Sequence, residues 1–145
     1  MPRVLVVEPY EDIRLLVTAT LALHGYEVVS VADGLGAVAA MERESFACLV
    51  VGSPVTIEHE GQSMLFLEHI ERGLHAGCPF IVVITTYVES ERVLSAAHRL
   101  DACAIFAKPF APEELLAVVR DCVSGRRPSR RWYGIPAAYI PAGSE

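Results

Sequence analysis

A chain of 145 residues with 52% apolar and 21% charged side chains is long enough to bury one core and too apolar to stay disordered, so a single folded domain is expected. No secretory-type apolar leader opens it and no apolar run approaches the length that crosses a bilayer, which gives the expectation of a cytoplasmic protein without a membrane partner. Net charge is −6 but uneven: from Arg120 onward five arginines face Asp121 and Glu145, leaving −9 on residues 1–119, a body that argues against nucleic acid as the main ligand.

In chain order, Arg3-Val4-Leu5-Val6-Val7 is a continuous apolar run suited to a buried strand, and in Glu8-Pro9-Tyr10-Glu11-Asp12 the last acids suit a helix N-terminus. Ile13, Leu16, Val17, Thr20 and Leu23 recur at three and four, a helical stripe that Gly25 closes. Residues 26–31 alternate into a second strand, Asp33 caps a helix reaching about Arg43, and Ser45 leads into a third strand over Cys48 to Val51. Gly52-Ser53-Pro54 ends that strand abruptly. Ligands of open parallel sheets sit beyond the carboxyl ends of strands, so this tip is where chemistry is expected, and it carries a glycine.

A polar loop is expected over 56–62, then a helix over 63–72 with Leu65, Leu67 and Ile70 apolar and Gly73 and Gly77 marking its end. Phe80-Ile81-Val82-Val83-Ile84 is the most strand-like run of the chain, capped by Thr85-Thr86-Tyr87. A helix over 89–100 places Val93, Leu94, Ala97 and Leu100 on one side, and 102–107 forms a short fifth strand ending at Lys108-Pro109. The last helix runs from Pro112, favourable in a first turn, to Val123. Five strands alternating with five helices through short connections predict an α/β domain over 1–124, a parallel sheet with helices on both faces. Residues 125–145 hold arginines, Pro136 and Pro141 without any period and read as an extended tail, with Trp132 and Tyr133 free to pack on the body or on a partner. The cysteines, Cys48, Cys78, Cys103 and Cys122, show no C-x-x-C pair and read as small buried hydrophobes.

Four stretches of this chain, V-L-V-V-E-P-Y-E-D-I-R at 4–14, G-Y-E-V-V-S-V-A-D-G at 25–34, F-A-C-L-V-V-G at 46–52 and A-I-F-A-K-P-F-A-P-E-E-L-L at 104–116, are similar to the receiver domain of two-component response regulators. The likeness covers residues 3–123, and its most specific element is the lysine-proline at the end of the fifth strand. It implies a five-stranded flavodoxin-like sheet of order 2-1-3-4-5. In that family, acids after strand 1 and an aspartate at the tip of strand 3 chelate Mg²⁺ through oxygens, and the aspartate takes a phosphoryl group. A hydroxyl after strand 4 and the strand 5 lysine then hold the phosphoryl oxygens.

Carried over by position, the acid pair falls on Glu8 and Pro9, the acceptor on Gly52, the hydroxyl on Thr85 or equally Thr86, the lysine on Lys108 and the aromatic switch on Ile105. Gly52 has no carboxylate, Pro9 has neither a carboxylate nor an N–H, and Phe106, beside Ile105, points to the other face by strand alternation. Weak or absent Mg²⁺ binding is therefore expected, with no resident metal or other cofactor and no catalytic residue; the chain is not expected to be an enzyme.

Lys108 is open to three readings: a relic, a surface lysine whose stem snorkels, or an anion contact, and with no aspartyl phosphate to hold it has Glu8 to pair with. Ser53 as phosphoacceptor lacks a general base. Glu58-His59-Glu60 fits a solvated loop better than a metal site, and Asp33-Gly34-Leu35-Gly36 lacks the third glycine of a dinucleotide fingerprint. His24, His69, His75 and His98 read as surface or boundary residues, and the arginines at 126–131 with Trp132 and Tyr133 suit nucleic acid or an acidic partner, or more simply a solubilising linker or a tail packed on its own body.

Two functions are expected from this pattern. The first is a pseudo-receiver: a phosphorylation-independent protein interaction module in two-component-type signal transduction. Its partner, a protein or a second copy of the chain, would dock through helix 4, strand 5 and helix 5, around Glu89 to Arg99 and Glu113 to Asp121. The second is a vacated pocket that takes a small anion or nucleotide on Lys108, Thr85 or Thr86 and the backbone near Ser53.

Overall fold

The computed structural model describes residues 2–73, 80–85 and 91–143. The apolar first run becomes β1 (Arg3–Val7), with Val4, Leu5, Val6 and Val7 all buried. The helix α1 (Glu11–Leu23) follows, Glu11 and Asp12 in its first turn at the positive end of the helix dipole, and Gly25 takes the left-handed φ of 91° past its end. β2 (Glu27–Val31) leads to α2 (Gly34–Arg43), capped by the Asp33 carboxylate, which accepts from the Gly36 N–H at 2.8 Å. β3 (Cys48–Ser53) is buried along its whole length.

Two short strands, β4 (Thr56–His59) and β5 (Gln62–Leu65), come next, before α3 (Phe66–Glu71). β6 (Ile81–Thr85), α4 (Glu91–Arg99), β7 (Ala104–Ala107) and α5 (Pro112–Val123) complete the alternation. Beyond it lie β8 (Trp132–Tyr133) and one 3₁₀ turn (Ala137–Tyr139).

The main sheet runs β2-β1-β3-β6-β7-β8 with every neighbouring pair parallel, which is the expected 2-1-3-4-5 order extended by one strand. Alternate residues of the strands feed two cores. Leu5, Val7, Leu49, Val51, Val83 and Ile105 pack with α2, α3 and α4; Val4, Val6, Val50, Ile84 and Phe106 pack with α1 and α5. Bidentate pairs from Arg92 to Glu68, at 2.8 and 2.6 Å, and from Arg99 to Glu71 tie α4 to α3.

Three sequence expectations change. The loop over 56–62 and the helix over 63–72 are instead a hairpin and a helix that starts at Phe66, because Ile57 and Met64 face each other across the strands and both are buried. Glu60 and Gly61, at φ of 53° and 77°, supply the two left-handed residues that a tight hairpin turn needs. The tail adds a sixth strand where none was expected. His69 is buried rather than at the surface, its ring stacked on Phe66 at 6.3 Å between centroids.

Cys48, Cys103 and Cys122 are buried, as small hydrophobes would be. The Cys122 thiol donates to Cys103, which pulls the Cys103 thiol down to about 7 and pushes Cys122 up. The expected helix start at Glu89 and the residues Thr86, Tyr87, His75, Gly77, Cys78 and Pro79 lie outside the described residues. No described helix is long and apolar enough to cross a membrane.

Candidate functional site

Parallel register brings the carboxyl ends of β1, β3, β6 and β7 together, and with them most of the residues singled out above. The Glu8 N–H donates to Val31 O at 3.0 Å, carrying the β1–β2 ladder one residue past β1. Ser53 lies opposite Thr85 in the β3–β6 register, and the Lys108 N–H donates to Thr85 O at 2.8 Å. Glu8, Gly52, Ser53, Thr85 and Lys108 thereby converge. Pro9 is exposed just outside the group.

At its centre is a buried ion pair. Lys108 Nζ lies 2.8 Å from Glu8 Oε1, with the side chains only 7% and 2% exposed. The other carboxylate oxygen, Oε2, accepts the Tyr10 N–H at 3.0 Å. The Tyr10 ring covers the ammonium at 4.8 Å from its centroid, and Arg14 donates to the Glu8 carbonyl at 2.8 Å. Glu8 meets an opposite charge and one backbone donor, and Lys108 meets that carboxylate and the face of the Tyr10 ring, which offset part of the cost of holding two charges so far from water.

The position of this carboxylate explains Gly52. A Cβ on Gly52 would meet Glu8 Oε2 at 2.9 Å, with Oε1 and Cδ nearer still. A side chain at 52 would require the Glu8 carboxylate to move, so the glycine leaves the room that this carboxylate occupies beside Lys108. In the family that the sequence resembles, an aspartate side chain would begin at this point; here a carboxylate reaches the same space from β1. Such a donor set does not fit Mg²⁺: one carboxylate is present, it is already bound to Lys108, and neither Pro9 nor Gly52 adds a side-chain oxygen.

Ser53 and Thr85 are buried at 2% and 0% exposure, and Ser53 Oγ has no hydrogen-bond partner among the described residues. Ile105 is fully buried against the α2–α4 side, while Phe106 faces the other way, stacked on Tyr133 at 4.3 Å. The remaining motifs do not join this site. Asp33 caps α2, and Gly34 is approached so closely by the hairpin that a Cβ would meet Thr56 O at 2.9 Å. No group of three or more His, Cys, Asp or Glu residues among those described could hold a metal. Tyr10 and Arg14 are further site residues; both lie in the 4–14 stretch, two and six residues past Glu8.

No protein-family model matches the chain, and no curated protein does. Solved structures do. A CheY-like response regulator receiver domain protein from Methanospirillum hungatei is 23% identical with a TM-score of 0.72, over 86% of this chain and 95% of that one. The isolated REC domain of RcsB from Salmonella enterica serovar Typhimurium, solved in the presence of the phosphomimetic BeF₃⁻, gives 16% identity and a TM-score of 0.74 over 97% and 99% of the two chains. The chain has the receiver fold. A chemotaxis response regulator of Vibrio cholerae matches at 26% identity and a TM-score of 0.66, over 84% of this chain and 98% of that one. The receiver fold places the Glu8–Lys108 pair at the strand tips where the sequence resemblance locates the phosphoryl site.

Proposed function

We propose that this receiver-fold chain is a protein interaction module of two-component-type signal transduction that works without phosphorylation and is not an enzyme. One observation supports the reading above all others: the space over Gly52 is filled by the Glu8 carboxylate, which neutralises Lys108 at 2.8 Å. A phosphoryl group would need an acceptor carboxylate at position 52, a metal to offset its charge and a lysine free to hold it. Gly52 supplies no acceptor, the donor set suits Mg²⁺ poorly, and Lys108 is already paired. Small anions meet the same obstacle, so the Glu8 pairing also favours an interaction module over a site for an anion or nucleotide.

Intact mass after incubation with acetyl phosphate and Mg²⁺ tests the proposal, and no added phosphate is expected. Stoichiometric labelling would end it. Gly52→Asp alone is also expected to stay unlabelled, because Pro9 still withholds the second acid. In a thermal-shift series with inorganic phosphate and nucleotides, a stabilisation that Lys108→Ala abolishes would favour the anion reading instead.

A further inference from the structure

The face around α4, β7 and α5, where a partner is expected to dock, is not bare: the chain's own residues 126–143 lie along it. β8 pairs in parallel with β7, Trp132 opposite Ile105 and Tyr133 opposite Phe106, and the Ile105 N–H donates to Arg131 O at 2.8 Å. Four arginines meet an acidic rim: Arg127 and Arg131 reach Asp101 at 2.5 and 3.7 Å, Arg130 reaches Glu114 at 3.3 Å and Arg126 reaches Asp121 at 3.3 Å. Arg131 Nε also donates to Ala102 O at 2.9 Å. The Tyr133 ring lies between Phe106, 4.3 Å away and nearly parallel, and the Arg130 guanidinium at 4.4 Å. Gly134, at φ of 73°, then passes Ala107 so closely that a Cβ would meet its Cβ at 3.2 Å, after which Ile135 enters the core.

We propose that the β7 edge with its Asp101, Glu114 and Asp121 rim is a docking site for an extended basic-aromatic segment, and that residues 126–133 fill it in cis in the resting molecule. The contact chemistry is that of strand addition: main-chain bonds to a sheet edge give attachment, and alternate side-chain positions give selectivity. Charge complementarity selects the occupant, since a segment rich in arginine meets Asp101, Glu114 and Asp121, beside a body whose residues 1–119 carry −9. An intramolecular occupant acts at an effective concentration of roughly millimolar, so a partner segment of similar chemistry gains the site only when the tail is loosened or outcompeted. The tail is thereby a built-in competitor for this face. The inference does not depend on how phosphorylation behaves.

The probe is a fluorescein-labelled peptide of residues 126–143, and anisotropy follows its binding to the full-length chain. With the tail loosened by Arg127→Glu and Arg130→Glu, the peptide is expected to bind at least about tenfold more tightly than to the unaltered chain. Adding Asp101→Asn and Glu114→Gln, which remove the rim charges without re-pairing the altered tail, is expected to abolish that binding, and circular dichroism checks that each variant is folded. Equal affinity of the unaltered and loosened chains, or binding indifferent to the rim charges, would overturn the proposal. Hydrogen exchange on the unaltered chain gives a second reading that does not rely on the variants. Excess peptide is expected to strip protection from the chain's own residues 126–133 while the Ile105 amide stays protected. If those residues keep their protection at saturating peptide, the proposal fails.

Discussion

Lys108 and Arg130 both find a carboxylate, but in opposite settings. Lys108 and Glu8 are almost wholly out of water, whereas Arg130 and Glu114 keep 59% and 45% of their side-chain surface. A buried pair has lost several kcal/mol of hydration per ion, and removing either partner strands the other charge in the interior. An exposed pair is screened and holds two mobile side chains in place, and it is worth about 0–1 kcal/mol. The same chemistry therefore gives a buried pair at the strand tips and solvent-screened pairs on the α4–β7–α5 face. The first lies at the strand tips where the sequence resemblance puts the phosphoryl site; the second, on the proposal above, holds a face that a partner segment can open.

The largest effect is expected where this contrast is broken at its buried end. Glu8→Gln or Lys108→Met alone should destabilise the fold by about 3–5 kcal/mol in urea unfolding, whereas Glu8→Leu with Lys108→Met together should recover most of the loss. Equal losses in the single and double variants would mean that the pair is held by something other than mutual neutralisation. Next, Gly52→Ala should cost about 1–3 kcal/mol, because its methyl must push Glu8 out of place.

At the exposed end, Tyr133→Ala should cost about 0.5–1.5 kcal/mol from the lost ring pair with Phe106, beyond the area it uncovers. It should also speed exchange of the Ile105 amide without unfolding the rest of the sheet. The smallest effect concerns acid. The hydrogen bond from Arg92 holds the Glu68 carboxyl below its ordinary range. A carboxyl depressed in the folded state adds stability that is fully present above its unfolded pKa and is lost as pH falls through its folded pKa. The free energy of unfolding should thus fall less from pH 5 to pH 3 for Glu68→Gln than for the unaltered chain, by roughly a few tenths of a kcal/mol.

Much of this was legible in the residues. The apolar runs at 4–7, 48–51, 81–84 and 104–107 place the buried strands, and Lys108-Pro109 marks the site end of the sheet. The hairpin over Thr56–His59 and Gln62–Leu65 was not, because Glu58-His59-Glu60 looks like a solvated loop and Leu65, Leu67 and Ile70 share a helical spacing with the residues beyond. Two residues, Trp132 and Tyr133, are too few to announce a strand; they become one only because β7 offers an edge and Phe106 offers a ring. Gly52, Pro9 and Ile105 could be read as departures from the family pattern. That Glu8 fills the space over Gly52 could not, since it depends on two strand tips meeting at a distance the sequence does not encode.

The central claim is that the Glu8 carboxylate stands in for a side chain at position 52, and a double-mutant cycle between Glu8→Ala and Gly52→Asp tests it most directly. In the unaltered chain Gly52→Asp should destabilise by about 1–3 kcal/mol. In the Glu8→Ala background the same substitution should stabilise, because the new carboxylate occupies the emptied space and pairs with Lys108. Gly52→Asp destabilising both backgrounds equally would contradict the account.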